Sequence, residues 1–249
     1  MSTPRDLAAL AALALGACAE PAPDPYCGGF DEPLAYELSL AKLTLDVDDY
    51  VPVEGELCLE LPRRCDCVPT DPNGFLRVEA PARSDLLAEV HAPGYLTTVL
   101  VHTSTDVPHA STLRVLDRAT VMILGGAIGE RTDRTRGQMA IRAAPAEGGD
   151  VTGTVFSLRN LDTGAEERVI YTAGGVPSVD ATATDATGVA IGVNLPVGRY
   201  EIASPVFATC SIHEAGWPRY DAEGRVRALE LVVRADSVTL LDTLRCFGP

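Results

Sequence analysis

The stretch "TDATGVAIGVNLPVGRYEI", Thr184 to Ile202, holds a turn signal, an alternating run, a second turn and another strand. Asp185 can close an Asx-turn on its own backbone, and Gly188 supplies the positive φ at which the chain reverses. The apolar/polar period of two that follows is that of a half-buried strand. In outline the same order occurs at "TDPNGFLRVEAPARSDLLAEV", Thr70 to Val90. Upstream of each copy a Val-x-Gly leads into a strand, in "VEGELCL" (Val53 to Leu59) and "VTGTVFS" (Val151 to Ser157), and downstream a proline, Pro81 or Pro196, precedes another strand. Two copies in one order, the second with a longer insertion, point to a duplicated β-domain.

The rest of the chain has the same grammar. Leu57, Leu59 and Leu61, then Leu76, Val78 and Ala80, then Leu229, Leu231 and Val233 alternate with mostly polar neighbours, and turn signals such as "APGY" (Ala92 to Tyr95), "LDTG" (Leu161 to Gly164) and "DAEG" (Asp221 to Gly224) separate the runs. Short strands with regular turns predict antiparallel β-sandwiches. One segment differs. "LDRATVMILGGAIG", Leu116 to Gly129, reads as a helix stopped by Gly129 or as a fully buried strand, because an apolar run has no period to decide between them. "ERTDRTRG", Glu130 to Gly137, follows as an exposed charged linker between the two copies.

With 249 residues the chain is long enough for two ordinary domains, each with its own core. Its formal charge of −15, with Lys42 the single lysine, repels phosphate backbones and anionic lipid, so nucleic acid is excluded as a partner, as is polybasic membrane docking. The N-terminus, "MSTPRDLAALAALALGAC", has Arg5, a short Ala/Leu run and the small residues Gly16 and Ala17 before Cys18. That run is far below the roughly 20 residues a spanning helix needs. "LGAC", Leu15 to Cys18, resembles the lipobox of bacterial lipoproteins, which implies cleavage before Cys18 and a diacylglycerol on its thiol. "AEPAPDPY", Ala19 to Tyr26, then reads as a stiff, extended tether. With Cys18 lipidated, Cys27, Cys58, Cys65, Cys67, Cys210 and Cys246 remain, an even number that suggests disulfides in an exported chain. Cys58 is placed to bridge Cys65 or Cys67 across a short turn, Cys27 to take the remaining thiol, and Cys210 to pair with Cys246.

Val-x-Gly-x-Val, Thr-Asp-x-x-Gly and Asn-Leu-Pro-x-Gly-x-Tyr-x-Ile within Val151 to Ile202 resemble the carboxypeptidase regulatory-like domain, a transthyretin-like β-sandwich related to the B-type repeats of bacterial surface adhesins. The first copy departs from the pattern at "EAPARSDLLAEV", and "APGYLTTVL" resembles the Gly-Tyr strand of these domains. The arrangement is similar to envelope lipoproteins of high-GC bacteria such as myxobacteria. The expected fold is therefore all-β, two tandem transthyretin-like (prealbumin-like) sandwiches with one linking helix. The expected organisation is a signal peptide over 1–17, a tether over 18–35, a first sandwich over 36–115, a helix and linker over 116–136 and a second sandwich over 137–249. Some of the adhesin relatives carry a Lys–Asn or Lys–Asp isopeptide bond. The second copy has no lysine, and Lys42 in the first has no partner that the sequence names.

Chemistry is harder to find. His91, His102, His109 and His213 form no His-Glu-x-x-His, though His102 and His109 flank the loop Thr103 to Pro108 and can meet in space. No Gly-x-Ser-x-Gly elbow or Gly-rich phosphate loop is present. "DVDD" (Asp46 to Asp49) and Asp31-Glu32 lack the spacing of a calcium loop and read as solvated acidic face. "CDC", Cys65 to Cys67, reads as disulfide cysteines rather than a metal or redox motif. No catalytic residue, metal or cofactor is expected. The expectation is a non-enzymatic lipoprotein of the cell envelope, held through Cys18, in the outer membrane if the host is diderm because Ala19 is not Asp. It would present loops at the end carrying "DPNG" and "DATG" to an envelope protein or glycan. The alternative, an exported carbohydrate-binding or enzyme-accessory module, needs Trp217 and Tyr220 exposed as an aromatic platform, and a hydrolase needs a pocket joining a histidine to a carboxylate.

Overall fold

In the run Phe75 to Ala80, residues 76, 78 and 80 are buried and 75, 77 and 79 exposed, as a period of two against a one-sided core requires. The computed structural model describes residues 30–43, 50–145, 151–211 and 216–246, and the fold is all-β with one helix. The first copy supplies β1 (Pro33–Lys42), β2 (Glu56–Leu61), β3 (Val68–Pro69), β4 (Phe75–Pro81), β5 (Asp85–His91), β6 (Thr97–Thr103) and β7 (His109–Val115). Helix α1 (Arg118–Ala127) follows. The second copy supplies β8 (Gly137–Pro145), β9 (Ser157–Asn160), β10 (Glu166–Glu167), β11 (Ile170–Ala173), β12 (Val176–Ser178), β13 (Val189–Leu195), β14 (Gly198–Ala203), β15 (Cys210–Ser211), β16 (Trp217–Tyr220), β17 (Val226–Val233) and β18 (Ser237–Cys246).

The duplication is visible in the pairing. In the first copy β4-β1-β7 form one layer, with β1 antiparallel to β4 and parallel to β7. In the second copy β13-β8-β18 repeat that layer with the same senses. The opposing layers are β3-β2-β5-β6 and β10-β9-β14-β17, the latter extended by β16. The insertion in the second copy is the hairpin β11–β12, added beside β13.

The repeated sequence signals occupy equivalent places. Leu40 N–H donates to Gly74 O at 2.8 Å, and Ala143 N–H to Gly188 O at 2.9 Å. Thr70 Oγ1 accepts from Gly55 N–H and Thr184 Oγ1 from Thr154 N–H, both at 3.0 Å. Asp71 Oδ1 accepts from Asn73 and Phe75, and Asp185 Oδ1 from Thr187. Gly74 and Gly188 have φ of +76° and +68°, and a Cβ on either would collide with the carbonyl oxygen of Leu40 or Ala143. The motif thus fastens the turn before the fourth strand to the first strand of each sandwich.

The two copies are not independent beads. β18 pairs in parallel with β8 on one side and with β6 of the first copy on the other, Ser237 to Leu240 opposite Thr97 to Leu100. One ten-stranded sheet therefore runs through both sandwiches. β5 shows the consequence. Leu86, Ala88 and Val90 join the first core with Leu38, Leu40, Leu57 and Val78, whereas Leu87 points the other way and joins the second core with Val99 and Val101 of β6. Helix α1 lies along the seam. Its Val121 packs with Leu96 and Leu116 of the first copy and Val238 of the second. Asp117 caps it by accepting from Thr120 N–H at 2.7 Å, and Gly129 at φ +76° ends it, so the segment is a helix and not a buried strand.

Three sequence-based details need correction. Leu61 is exposed, because a register shift between Leu59 and Leu61 breaks the alternation. Glu230, expected on a solvated face, is 1% exposed. The turns "DPNG" and "DATG" also do not share an end. Because β8, β18 and β6 run parallel, Gly74 sits at the helix end of the molecule and Gly188 at the end where β1 begins.

Two stability outcomes follow. Gly188→Ala is expected to cost at least about 2 kcal/mol, from the left-handed φ and the clash, whereas Gly94→Ala, with nothing within 4 Å of the new methyl, costs about 1; urea denaturation separates the two. Thr98 Oγ1 is buried without a hydrogen-bond partner. Thr98→Val is accordingly expected to stabilise by about 1 kcal/mol, read as a rise in the unfolding midpoint.

Candidate functional site

Three of the described cysteines are disulfide residues. Cys58 on β2 and Cys67 just before β3 are bonded to each other, and Cys65 is also disulfide-bonded. Glu56, Cys58 and Cys67 are close enough together to suggest a metal group, but a disulfide sulfur has no thiolate to offer, so the cluster is not a metal centre. Cys210 and Cys246 face each other in the register of β15 and β18. Cys18, Cys27, His213, the signal region and "DVDD" lie outside the described residues.

His102 and His109 do meet. Their ring centroids are 5.2 Å apart, and each is within 5.5 Å of the ring of Tyr36, whose hydroxyl lies 3.1 Å from His102 Nε2. These rings close the end of the first core where β1 begins. Among the described residues no third His, Cys, Asp or Glu joins the pair in a metal-sized group.

Lys42 has a partner that the sequence did not name. Its ammonium lies 3.0 Å from Asp117 Oδ2, on the carboxylate that caps α1. The Asp117 side chain raises the pKa of Lys42. Asp117 is itself held below the ordinary carboxylate range, by the Thr120 backbone N–H first and by Lys42 next. Amide formation needs a neutral amine and a protonated carboxyl, and each group pushes the other the opposite way. The pair is an ion pair.

The densest polar arrangement lies where the copies join. Arg234, in the β17–β18 turn, donates to Glu60 Oε1 of β2 at 2.9 Å and pairs with Glu89 of β5 as well. Hydrogen bonding from Arg234 holds the Glu60 carboxyl below its usual range despite partial burial. Arg118 of α1 clasps Asp236 through both oxygens and lowers its pKa in the same way. Trp217 is half-buried, and its Nε1–H donates to Leu86 O at 3.2 Å, while Gly216 N–H donates to Val101 O at 2.9 Å. Trp217 is therefore a brace between the copies. Only Tyr220, 59% exposed, remains from the expected aromatic platform.

One feature has the outline of a charge relay. Thr97 Oγ1 is 3.3 Å from His91 Nδ1, and His91 Nε2 is 3.2 Å from Glu89 Oε2. Glu89 is already engaged by Arg234, and Thr97 lies inside the β6–β18 ladder. Two concavities, of about 50 and 530 Å³, are lined by other residues, the first by Leu96, Arg118 and Asp236 among others, the second by Ser157, Pro205 and Arg225 among others. The arrangement holds β5, β6 and the turn together.

Two further carboxylates were missed by sequence reasoning as structural centres. Glu230 is enclosed by Arg199 and Arg219 on the outer face of its sheet. Asp185 accepts from Thr187 N–H, Thr187 Oγ1, Thr172 Oγ1 and Gly175 N–H. Burial raises its pKa, but these bonds outweigh that effect and hold it far below the ordinary range. The Thr-Asp-x-x-Gly signal located Asp185 as a turn residue, and nothing local marked its partners on the inserted hairpin.

No protein-family model matches the chain, and no curated protein matches it. Solved structures similar to it include the Bacillus anthracis TIE protein, at 12% identity and a TM-score of 0.28, covering 87% of this chain and 34% of that one. The chain thus spans about a third of that protein's length. The minor pilin GBS52 of Streptococcus agalactiae has 10% identity and a TM-score of 0.31, with 87% and 96% covered. The shaft pilin spaA of Lactobacillus rhamnosus GG has 11% identity and a TM-score of 0.25, with 88% and 98% covered. Scores in this range are below those of a shared overall fold, and the reading of the site rests on the chain's own geometry.

Arg234→Ala is expected to destabilise by about 2 kcal/mol, since two partly buried carboxylates lose their charged donor. The depressed pKa values of Glu60, Asp236 and Asp185 give stability that is complete above about pH 4, the unfolded value, and is lost as pH falls through the lower folded values. In acid titration of unfolding, the gap between the native protein and Asp185→Asn should accordingly narrow below pH 4.

Proposed function

We propose that the protein is a non-enzymatic lipoprotein of the cell envelope, a stiff body of two fused sandwiches held to a membrane through Cys18. The observation that carries this reading is the shared sheet. Several of the polar groups that converge in the described structure, Arg234 with Glu60 and Glu89, Arg118 with Asp236, and Trp217 with Leu86, span the seam between the copies and brace it. A body whose converging groups are used in this way suits bearing and presenting rather than turnover.

Export is supported by oxidised cysteines, which persist outside the reducing cytosol, and by the leader with its lipobox-like "LGAC". No helix among the described residues is long and apolar enough to cross a membrane. The outer membrane is the address expected from Ala19 in a diderm host, and an envelope protein or a glycan is the partner class. The turn ends are split between the two poles, so a partner would meet one pole, not both turns.

Lipid labelling and membrane fractionation of the native protein beside Cys18→Ser test this. The native protein is expected to take up label and sediment with membranes, and the variant to lose both. A native protein that is unlabelled and soluble overturns the lipoprotein reading.

A further inference from the structure

The cysteines outside the Cys58–Cys67 bond have few ways to pair. Cys65 is disulfide-bonded, so its partner must come from Cys18, Cys27, Cys210 and Cys246. Cys210 and Cys246 are directly opposed across the antiparallel pair of β15 and β18. Directly opposed residues have Cα atoms about 4.5 to 5.5 Å apart, within the range a disulfide closes. Cys18 is committed to lipid in the reading above, on which this step rests. That leaves Cys27. Phe30, three residues after it, packs against the same core as Cys65, and the guanidinium of Arg63, two residues before Cys65, lies 4.6 Å from the Phe30 ring. Three residues span at most about 10 Å of chain, so Cys27 is tied to the neighbourhood of Cys65 by Phe30 alone.

We infer that the exported protein carries three disulfides, Cys58–Cys67, Cys27–Cys65 and Cys210–Cys246, and that the second of them sets the reach of the lipid anchor. Each bond forms by thiol–disulfide exchange. Two thiols lose two protons and two electrons, and a donor disulfide is reduced to its dithiol. With Cys27 fastened to the sandwich, the free tether runs from Cys18 to Cys27 instead of to Phe30, which already packs on the core. The greatest stand-off from the bilayer falls from about 40 Å to about 30 Å. The third bond clamps the C-terminal end of β18, the strand shared by both copies.

The test is peptide mapping of the full chain, exported to an oxidising envelope and digested without reductant at acid pH. Cleavage after Arg63 or Arg64 separates Cys58 from Cys65, and cleavage at Asp66 separates Cys65 from Cys67. The expected result is the three stated linked pairs and no others. Cys27→Ser is expected to release one thiol, and alkylation should place it on Cys65. A link from Cys27 or Cys65 to Cys210 or Cys246, or a released thiol at either of those two, overturns the inference and leaves export standing. Six free thiols in the exported native chain overturn the inference and the export reading together.

Discussion

β18 carries two ladders, one to β8 within its own copy and one to β6 of the other. Any strand at the edge of a sheet leaves a row of unpaired backbone groups. In a lone first sandwich β6 would be such an edge, and here β18 covers it. Once that ladder exists, β5 and β6 lie in the interior of a wide sheet with material on both faces. Their side chains must then be apolar both ways, as Leu86 and Leu87, or Leu100 and Val101, are.

The same ladder accounts for the polar groups at the seam. Joining the copies brings the β17–β18 turn over β2 and β5 and takes Glu60 and Glu89 partly out of water. Burying a carboxylate is unfavourable unless a charged donor accompanies it, and Arg234 is that donor for both. Arg118 does the same for Asp236 and ties the helix to the seam. In a chain of net charge −15 these two arginines sit where acidic groups would otherwise be stranded.

Parallel pairing also fixes polarity. The second copy is laid beside the first so that its Thr-Asp-x-x-Gly turn falls at the opposite pole. One pole holds the start of β1 with Tyr36, His102, His109 and the Asp185 turn, and the other holds "DPNG" and the cap of α1. Met122 and Ile123 stay 65% and 71% exposed on that helix, although its run Val121 to Leu124 is wholly apolar.

Much of this was legible in order along the chain. Alternation gave the strands, Asp and Gly gave the turns, and Gly129 marked where a helix could stop, because these signals act over a few residues through backbone geometry and hydrogen bonding; that the segment is a helix, capped by Asp117, came from the structure. The duplication was legible for the same reason, since equivalent turns need equivalent residues. The hint of a shared sheet was present too: "LLAEV" and "TVLV" are more continuously apolar than one-sided strands require, but a run of that length does not say what covers its second face. The seam, the partner of Lys42, the enclosure of Glu230 and the use of Trp217 were decided only by the tertiary structure. Each depends on which residues distant in sequence the strand pairings bring within hydrogen-bond range, and a local run does not name its partner strand.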